Sequence, residues 1–344
     1  MSKKILVTGG CGYIGSHAIV DLIQKGFQVV SADNFQRGRR YVPDHIKQIT
    51  GKSFKNYEAD VCDLQACRNI FSEEKDIEGV IHFAAYKMVG ESVADPVMYY
   101  RNNLVSLINI MDCIREFKVS FLIFSSSSSV YGNIENLPVN EETSVVKQES
   151  PYGRTKYWGE IMIADFVNAH PFHALMLRYF NPVGAHESAM LGEPIEDKPQ
   201  NIIPAITKTA IGKQKEFVVN GNDFPTRDGS AIRDYPHVMD VAEAHTMSLQ
   251  YLMKKKATSS SSYDIINIGT SEGVSVFEMI HAFETSTGIK LNYRIGPRRE
   301  GDAIAVYTDI SKAEKLLGWK PKRTLEDVML SAWNWEQRCR ELSL

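Results

Sequence analysis

The stretch Thr8-Gly9-Gly10-Cys11-Gly12-Tyr13-Ile14-Gly15 limits what this chain can fold into more than any other. An apolar run, Lys3 to Thr8, leads into it, and a segment of helical period, Ala18 to Lys25, leads out. Glycines at this spacing, between a buried strand and a helix, allow a tight turn, a close approach of backbone to a bound group, and close packing of helix on strand. The helix start also offers free N–H groups and a positive dipole end, which is where a phosphate binds. Gly9, Gly12, Tyr13, Ile14 and Gly15 are therefore candidate pyrophosphate contacts.

The pattern alone is weak; its surroundings strengthen it. A second apolar run, Phe27 to Asp33, ends in a carboxylate about 20 residues on, where an acidic side chain binds the ribose hydroxyls of NAD. Asp33 would repel a 2′-phosphate, so NAD is expected over NADP, with Arg37, Arg39 and Arg40 close enough to offset part of that repulsion. Strands recur at Phe54 to Asp60, Gly79 to Ala85 and Phe121 to Phe124, separated by helical segments at Leu64 to Glu73 and Tyr99 to Phe117. This alternation predicts an α/β fold, a doubly wound parallel sheet of Rossmann type. Asp60 and Val61 end one strand where an adenine edge can be read; Phe83, Ala84 and Lys87 end the next, with Lys87 facing a phosphate, the nicotinamide side or solvent.

Five serines, Ser125 to Ser129, follow the strand that ends at Phe124, and Ser150-Pro-Tyr152-Gly-Arg-Thr-Lys156 opens a helix. Hydroxyls at the C-terminal end of such a strand face the crevice where open α/β sheets bind ligands. Tyr152 and Lys156, four apart, share a helix face. An unperturbed phenol titrates near pH ~10, and a close cation lowers that toward working pH. The product is a general base for an alcohol proton. A tyrosine and lysine at this spacing are more often a plain exposed face, so their weight depends on the dinucleotide turn upstream.

Composition excludes other classes. The 344 residues carry a net charge of −3 and no strongly basic segment, which disfavours nucleic acid and membrane surfaces as partners. Cys11, Cys62, Cys67, Cys113 and Cys339 are scattered and lack metal-ligand spacing, so no metal is expected and reduced thiols in a cytoplasmic protein are the simpler account. No apolar run nears the ~20 residues of a membrane span.

Thr8-Gly-Gly-Cys-Gly-Tyr-Ile-Gly15, Ser128-Ser-Val-Tyr-Gly132 and Tyr152-Gly-Arg-Thr-Lys156 together resemble the extended short-chain dehydrogenase/reductases. His82-Phe-Ala-Ala-Tyr-Lys-Met-Val-Gly-Glu-Ser92, Arg178-Tyr-Phe-Asn-Pro-Val-Gly-Ala-His186, Arg233-Asp-Tyr-Pro-His-Val-Met-Asp240 and Pro297-Arg-Arg-Glu-Gly-Asp302 narrow the likeness to the UDP-glucose 4-epimerases. The resemblance implies that Tyr152 is the base on the sugar 4-OH. Lys156 would bind the nicotinamide ribose and depress the phenol pKa, and Ser127 would hydrogen-bond the 4-OH. It assigns Tyr13, Ile14, Asp33, Asn34, Asp60, Val61, Lys87, Asn102 and Phe180 to the NAD site, and Asn181, Asn201, Arg233, Arg299 and Asp302 to the UDP-hexose. A homodimer through the helices near 99–117 and 152–168 is also implied.

Independently of the family, Arg233 and Arg299 suit a diphosphate, Asp302 a ribose, and Asn201 a phosphate or uracil edge. Singly, each arginine is more often a surface ion pair, as Arg298 beside Glu300 would be. Two departures from the family bear on substrate. Val306 stands where relatives restricted to glucose and galactose carry a bulky Tyr, leaving room for an N-acetyl group, and Asn220 replaces an aromatic near the uracil. The 4,6-dehydratases of this scaffold carry Asp-Glu where this chain has Ser128-Ser129, which ranks dehydration low. A UDP-glucuronate epimerase or decarboxylase, a 4-reductase, and an NAD-sensing protein without turnover stay open.

For domains, residues 1–180 are expected to form the dinucleotide-binding unit, with 236–269 returning to it. Residues 181–235 and 270–344 form a smaller, discontinuous substrate unit. The run Lys254 to Ser262 reads as a loop insertion, Tyr263 to Gly269 as a returning strand, Asp309 to Trp319 as helical, and Leu325 to Leu342 as a final helix whose Trp333 and Trp335 pack.

Overall fold

The computed structural model describes residues 3–145, 147–194, 201–256, 261–299 and 303–342. Its strands are β1 (Lys4–Thr8), β2 (Gln28–Asp33), β3 (Lys55–Glu58), β4 (Ile77–His82), β5 (Phe121–Ser125), β6 (His173–Tyr179), β7 (Phe217–Asn220), β8 (Ile232–Arg233), β9 (Ser262–Ile268), β10 (Val274–Ser275), β11 (Tyr293–Gly296) and β12 (Ala305–Val306). The helices are α1 (Tyr13–Gln24), α2 (Val42–Thr50), α3 (Leu64–Glu73), α4 (Val89–Ala94), α5 (Pro96–Phe117), α6 (Pro151–Ala169), α7 (Ile202–Ala210), α8 (Val238–Lys255), α9 (Val276–Thr287), α10 (Ser311–Leu317) and α11 (Leu325–Leu342).

Seven strands form one sheet in the order β3-β2-β1-β4-β5-β6-β9, with every pairing parallel. The α/β, doubly wound expectation is met. Alternation along each strand splits the core in two. Ile5, Val7, Ile81, Phe121, Ile123, Leu175 and Leu177 join Ile19, Leu22, Val241 and Leu249 of α1 and α8 on one face. Leu6, Val30, Val80, Leu122, Phe124 and Met176 join Ile70, Phe71, Leu107, Ile110 and Ile163 of α3, α5 and α6 on the other. Parallel strands covered on both faces read as unbroken apolar runs, which is how β1, β5 and β6 look in the sequence.

The strand order reverses between β1 and β4, and a crevice for ligands opens there, beyond the strands' C-terminal ends. Beyond that edge lie two small sheets, β10-β8-β12 and β11-β7, packed with α7, α9 and α11 around a third apolar cluster. Two expectations shift. The first helix begins at Tyr13 rather than Ala18, because the glycine turn itself is its first turn. Of the proposed loop insertion, Lys254 and Lys255 end α8 and Ser262 begins β9, while residues 257–260 lie outside the described residues.

Candidate active site

The glycine turn is built for close approach. Gly9 has φ +68, and a Cβ there would fall 2.8 Å from the Ala84 nitrogen at the end of β4. A Cβ on Gly15 would fall 2.3 Å from the Gly9 carbonyl. Gly12 is the N-cap of α1 and supplies no side-chain cap, so the first amides of that helix point at the crevice without an intrahelical partner. Tyr13 is buried, and its hydroxyl donates to Gly184 O at 2.6 Å.

Asp33 ends β2 almost fully buried and accepts the Cys11 and Phe35 amides at 2.9 and 2.8 Å. Burial raises its pKa, and the two amides work against that shift. Two of the three arginines expected to counter the charge of Asp33 are engaged elsewhere. Arg37 pairs with Glu91 at 2.5 Å and lies over the Tyr86 ring, while Arg40 grips both oxygens of Glu58 and lies over Phe35. This strengthens the case for an unphosphorylated ribose. Asn34 holds the Gln36 amide, Asp60 the Cys62 amide at 2.8 Å, and the Val61 carbonyl accepts Asn109. Phe83 and Ala84 bond to Thr8.

At the end of β5 the serine run meets α6. Ser150 caps α6 through the Gly153 amide, and the helix brings Tyr152 and Lys156 to the serines on one buried face. Lys156 Nζ donates to Ser125 O at 2.6 Å and lies 5.8 Å from the Tyr152 ring centroid. Burial holds the Lys156 pKa down to about 7, with Glu160 working the other way. Here the expectation needs correcting: the Tyr152 pKa is raised, not lowered. Burial is the larger cause, a hydrogen bond with Ser127 opposes it, and the ammonium is aimed at a carbonyl rather than at the phenol. Ser127 is 7 % exposed, caps the following turn through the Ser129 amide, and bonds Ser129 Oγ at 3.1 Å.

The remaining candidates fall into three groups. Lys87 and Asn201 meet at one atom: Glu193 Oε1 lies 3.3 Å from Lys87 Nζ and 2.5 Å from Asn201 Nδ2, so Asn201 is held by a carboxylate in this state. Lys87 also lies 5.7 Å over the Tyr13 ring. Asn181, Arg233, Val306 and Phe180 converge through β8 and β12. The Asn181 amide donates to Asp234 O, Val306 pairs in register with Arg233, and Val306 packs on Phe180, Val130 and Tyr131. Asn220 stands apart on β7 opposite Gly296, and Arg299 is exposed beyond β11. Arg298 bonds Asp223 and covers Phe224 at 4.1 Å; its expected partner Glu300, and Asp302, lie outside the described residues.

Sequence reasoning passed over Asn103, Glu160, Arg178 and Glu193. Asn103 receives the Tyr86 amide at 2.8 Å and donates to Thr155 Oγ1 at 3.1 Å, fixing Asn102 beside the helix of the tyrosine. Glu160 was findable, since it continues the four-residue spacing of Tyr152 and Lys156.

Residues 6–331 match the family model described as GDP-mannose 4,6 dehydratase. The chain is 42% identical over 333 residues to the UDP-glucose 4-epimerase of Bacillus subtilis, covering 96% of each chain. The structure resembles a UDP-glucose-4-epimerase from Stenotrophomonas maltophila solved with NAD and formylated UDP-arabinopyranose, with TM-score 0.95, 41% identity and 99% of each chain covered. It also resembles the Bifidobacterium longum UDP-glucose 4-epimerase in complex with NAD+ and UDP, with TM-score 0.91, 42% identity and 98% of each chain covered.

Proposed function

The chain belongs to the UDP-glucose 4-epimerase family of extended short-chain dehydrogenase/reductases, and on that premise we propose that it interconverts UDP-glucose and UDP-galactose through a 4-keto sugar, with NAD as its resident cofactor. The observation that carries this reading is the buried face of α6, which presents Tyr152 and Lys156 to the serine run beside a glycine cradle that no other residue type would leave open.

Gly9, Gly12 and Gly15 with the first amides of α1 would hold the pyrophosphate, and Asp33 and Asn34 the adenine-side ribose. Asp60, Val61, Phe83, Ala84, Lys87, Asn102 and Phe180 would line the rest of the dinucleotide. NAD, when bound, supplies a hydride acceptor that can return the hydride. Tyr152 takes the 4-OH proton and later gives it back, and Ser127 holds that hydroxyl in line. Lys156 binds a ribose hydroxyl and, in its protonated form, favours the phenolate. Burial raises the phenol, so the phenolate depends on positive charge held beside it. Asn181, Asn201, Asn220, Arg233 and Arg299, with Asp302, would grip the UDP while the hexose turns.

The small Val306 beside Arg233 supports acceptance of N-acetylhexosamine substrates as well. The absence of a carboxylate at Ser128 and Ser129 favours epimerisation over the dehydration for which the matched family model is named. The separate sheets support a division into a dinucleotide unit (1–180 with 236–269) and a substrate unit (181–235 with 270–344), although Ile310, Ala313 and Trp319 pack in the core of the seven-stranded sheet. Among the described residues, no helix is long and apolar enough to cross a membrane. All five cysteines are free thiols, which suits a cytoplasmic enzyme. Exposed Val97, Ile108, Trp158 and Ile161 on α5 and α6 support a homodimer through that face; light scattering after Trp158→Glu would read its loss.

The test is incubation of purified protein with UDP-galactose, UDP-N-acetylgalactosamine and UDP-glucuronate separately, resolving 4-epimers. Conversion of the first two is expected. Conversion of the uronate alone would replace this reading.

A further inference from the structure

Beneath the proposed site lies an ion pair with nearly no access to water. Glu160 and Arg178 are each 3 % exposed, and Arg178 Nε and Nη2 donate to the two carboxylate oxygens at 2.8 and 2.6 Å. Taking two charges out of water costs about as much as their attraction returns, so such a pair is weak support for stability by itself. Its surroundings give it another use.

Glu160 follows Tyr152 and Lys156 on the same stripe of α6. Its Oε1 also accepts Ser126 Oγ at 2.5 Å, while the Ser126 amide donates to Leu177 O on β6 at 2.9 Å. Arg178, also on β6, lays its guanidinium 4.8 Å over the ring of Tyr131, whose hydroxyl donates to Asn267 Oδ1 at 2.7 Å. The pair thus holds the loop at Ser126 and at Tyr131, on either side of Ser127. The helix that carries the base also fixes the hydroxyl that must face it.

We propose that Glu160 and Arg178 are positioning residues for the reaction: through Ser126 and Tyr131 they hold Ser127 in register with Tyr152. The kinetic part rests on the 4-epimerase reading; the placement of the loop does not.

Ser126→Ala removes one bond and leaves the pair intact. The expected result is a kcat for UDP-galactose about tenfold lower, the cost of weakening the one hydrogen bond that a displaced Ser127 makes in the transition state. KM and bound NAD per chain should be unchanged, melting temperature should fall only by what one lost buried hydrogen bond costs, and amide exchange across residues 125–131 should be faster. Full kcat with unchanged exchange would overturn the proposal. Glu160→Gln leaves Arg178 without its counter-charge and is expected to lower melting temperature as well. Replacing both by methionine removes the orphaned charge, so stability should return while kcat stays low. Recovery of kcat together with stability in the double variant would show a purely structural pair and overturn the proposal. If the unaltered protein epimerises no UDP-hexose, the functional reading fails, while the exchange comparison still decides whether the pair holds the loop.

Discussion

The proposed base, the Tyr152 phenol, stands where burial makes ionisation harder. The cost is tolerable only if charge arrives with the ligands, and Lys156, held near pH 7 by the same burial, cannot supply it alone. Tyr152→Phe should therefore lower kcat about a thousandfold, within the range for loss of a general base, while NAD content after desalting stays at the unaltered level. Stopped-assay turnover and released NAD measure the two. Val306 offers a separate test. Val306→Tyr should suppress turnover of UDP-N-acetylgalactosamine at least tenfold, as a filled subsite rejects a bulkier group, and leave UDP-galactose within a few-fold. Equal losses on both sugars would remove the idea that this position selects the C2 substituent.

Among the elements, the glycine turn and α1 are the part most readable from sequence. Strand, glycines and helix each carry a local signal, and the acidic end of β2 follows at a fixed distance. Tyr152 and Lys156 were readable because four residues bring two side chains to one face. What was not readable depends on partners far along the chain. Asn201 is held by Glu193, Arg298 by Asp223, and Glu160, which holds the serine run at Ser126, by Arg178 on a neighbouring strand. No spacing encodes those contacts. The direction of the Tyr152 pKa is hidden from the sequence for the same reason, since the aim of Lys156 at Ser125 O is a tertiary fact. Gly15→Ala tests the turn: with a Cβ 2.3 Å from the Gly9 carbonyl, the loop must open. The variant should purify folded, by circular dichroism, but without bound dinucleotide. Undiminished NAD content would contradict the cradle.

For the molecule as a whole, four buried histidines govern the acid limb of stability. Burial lowers His17 and His245 to about 4, and His82 and His237 to about 3. Their unfolded pKa is 6.5, so below it the unfolded chain takes up protons that the folded chain refuses. Their contribution is complete above pH 6.5 and is lost as pH falls toward 4 for His17 and His245 and toward 3 for His82 and His237, each proton being worth about 1.4 kcal/mol per pH unit. Asp234, raised by burial to about 7, works in the opposite sense, and the raised carboxyls of Asp21, Asp33, Glu141 and Asp240 join it. In the upper part of the window four histidines outweigh Asp234, so melting temperature should drop between pH 6.5 and 5. Calorimetry that finds it flat or rising there would refute this account of the buried histidines.

The central claim is that one sugar carbon is oxidised and re-reduced inside a site that never releases the transferred hydrogen. UDP-galactose carrying deuterium at C4 is the direct probe, with the UDP-glucose formed analysed by mass spectrometry and NMR. Deuterium retained at C4 of the product, with none appearing in solvent, is the predicted result. Product that has exchanged its C4 deuterium for solvent hydrogen would contradict it.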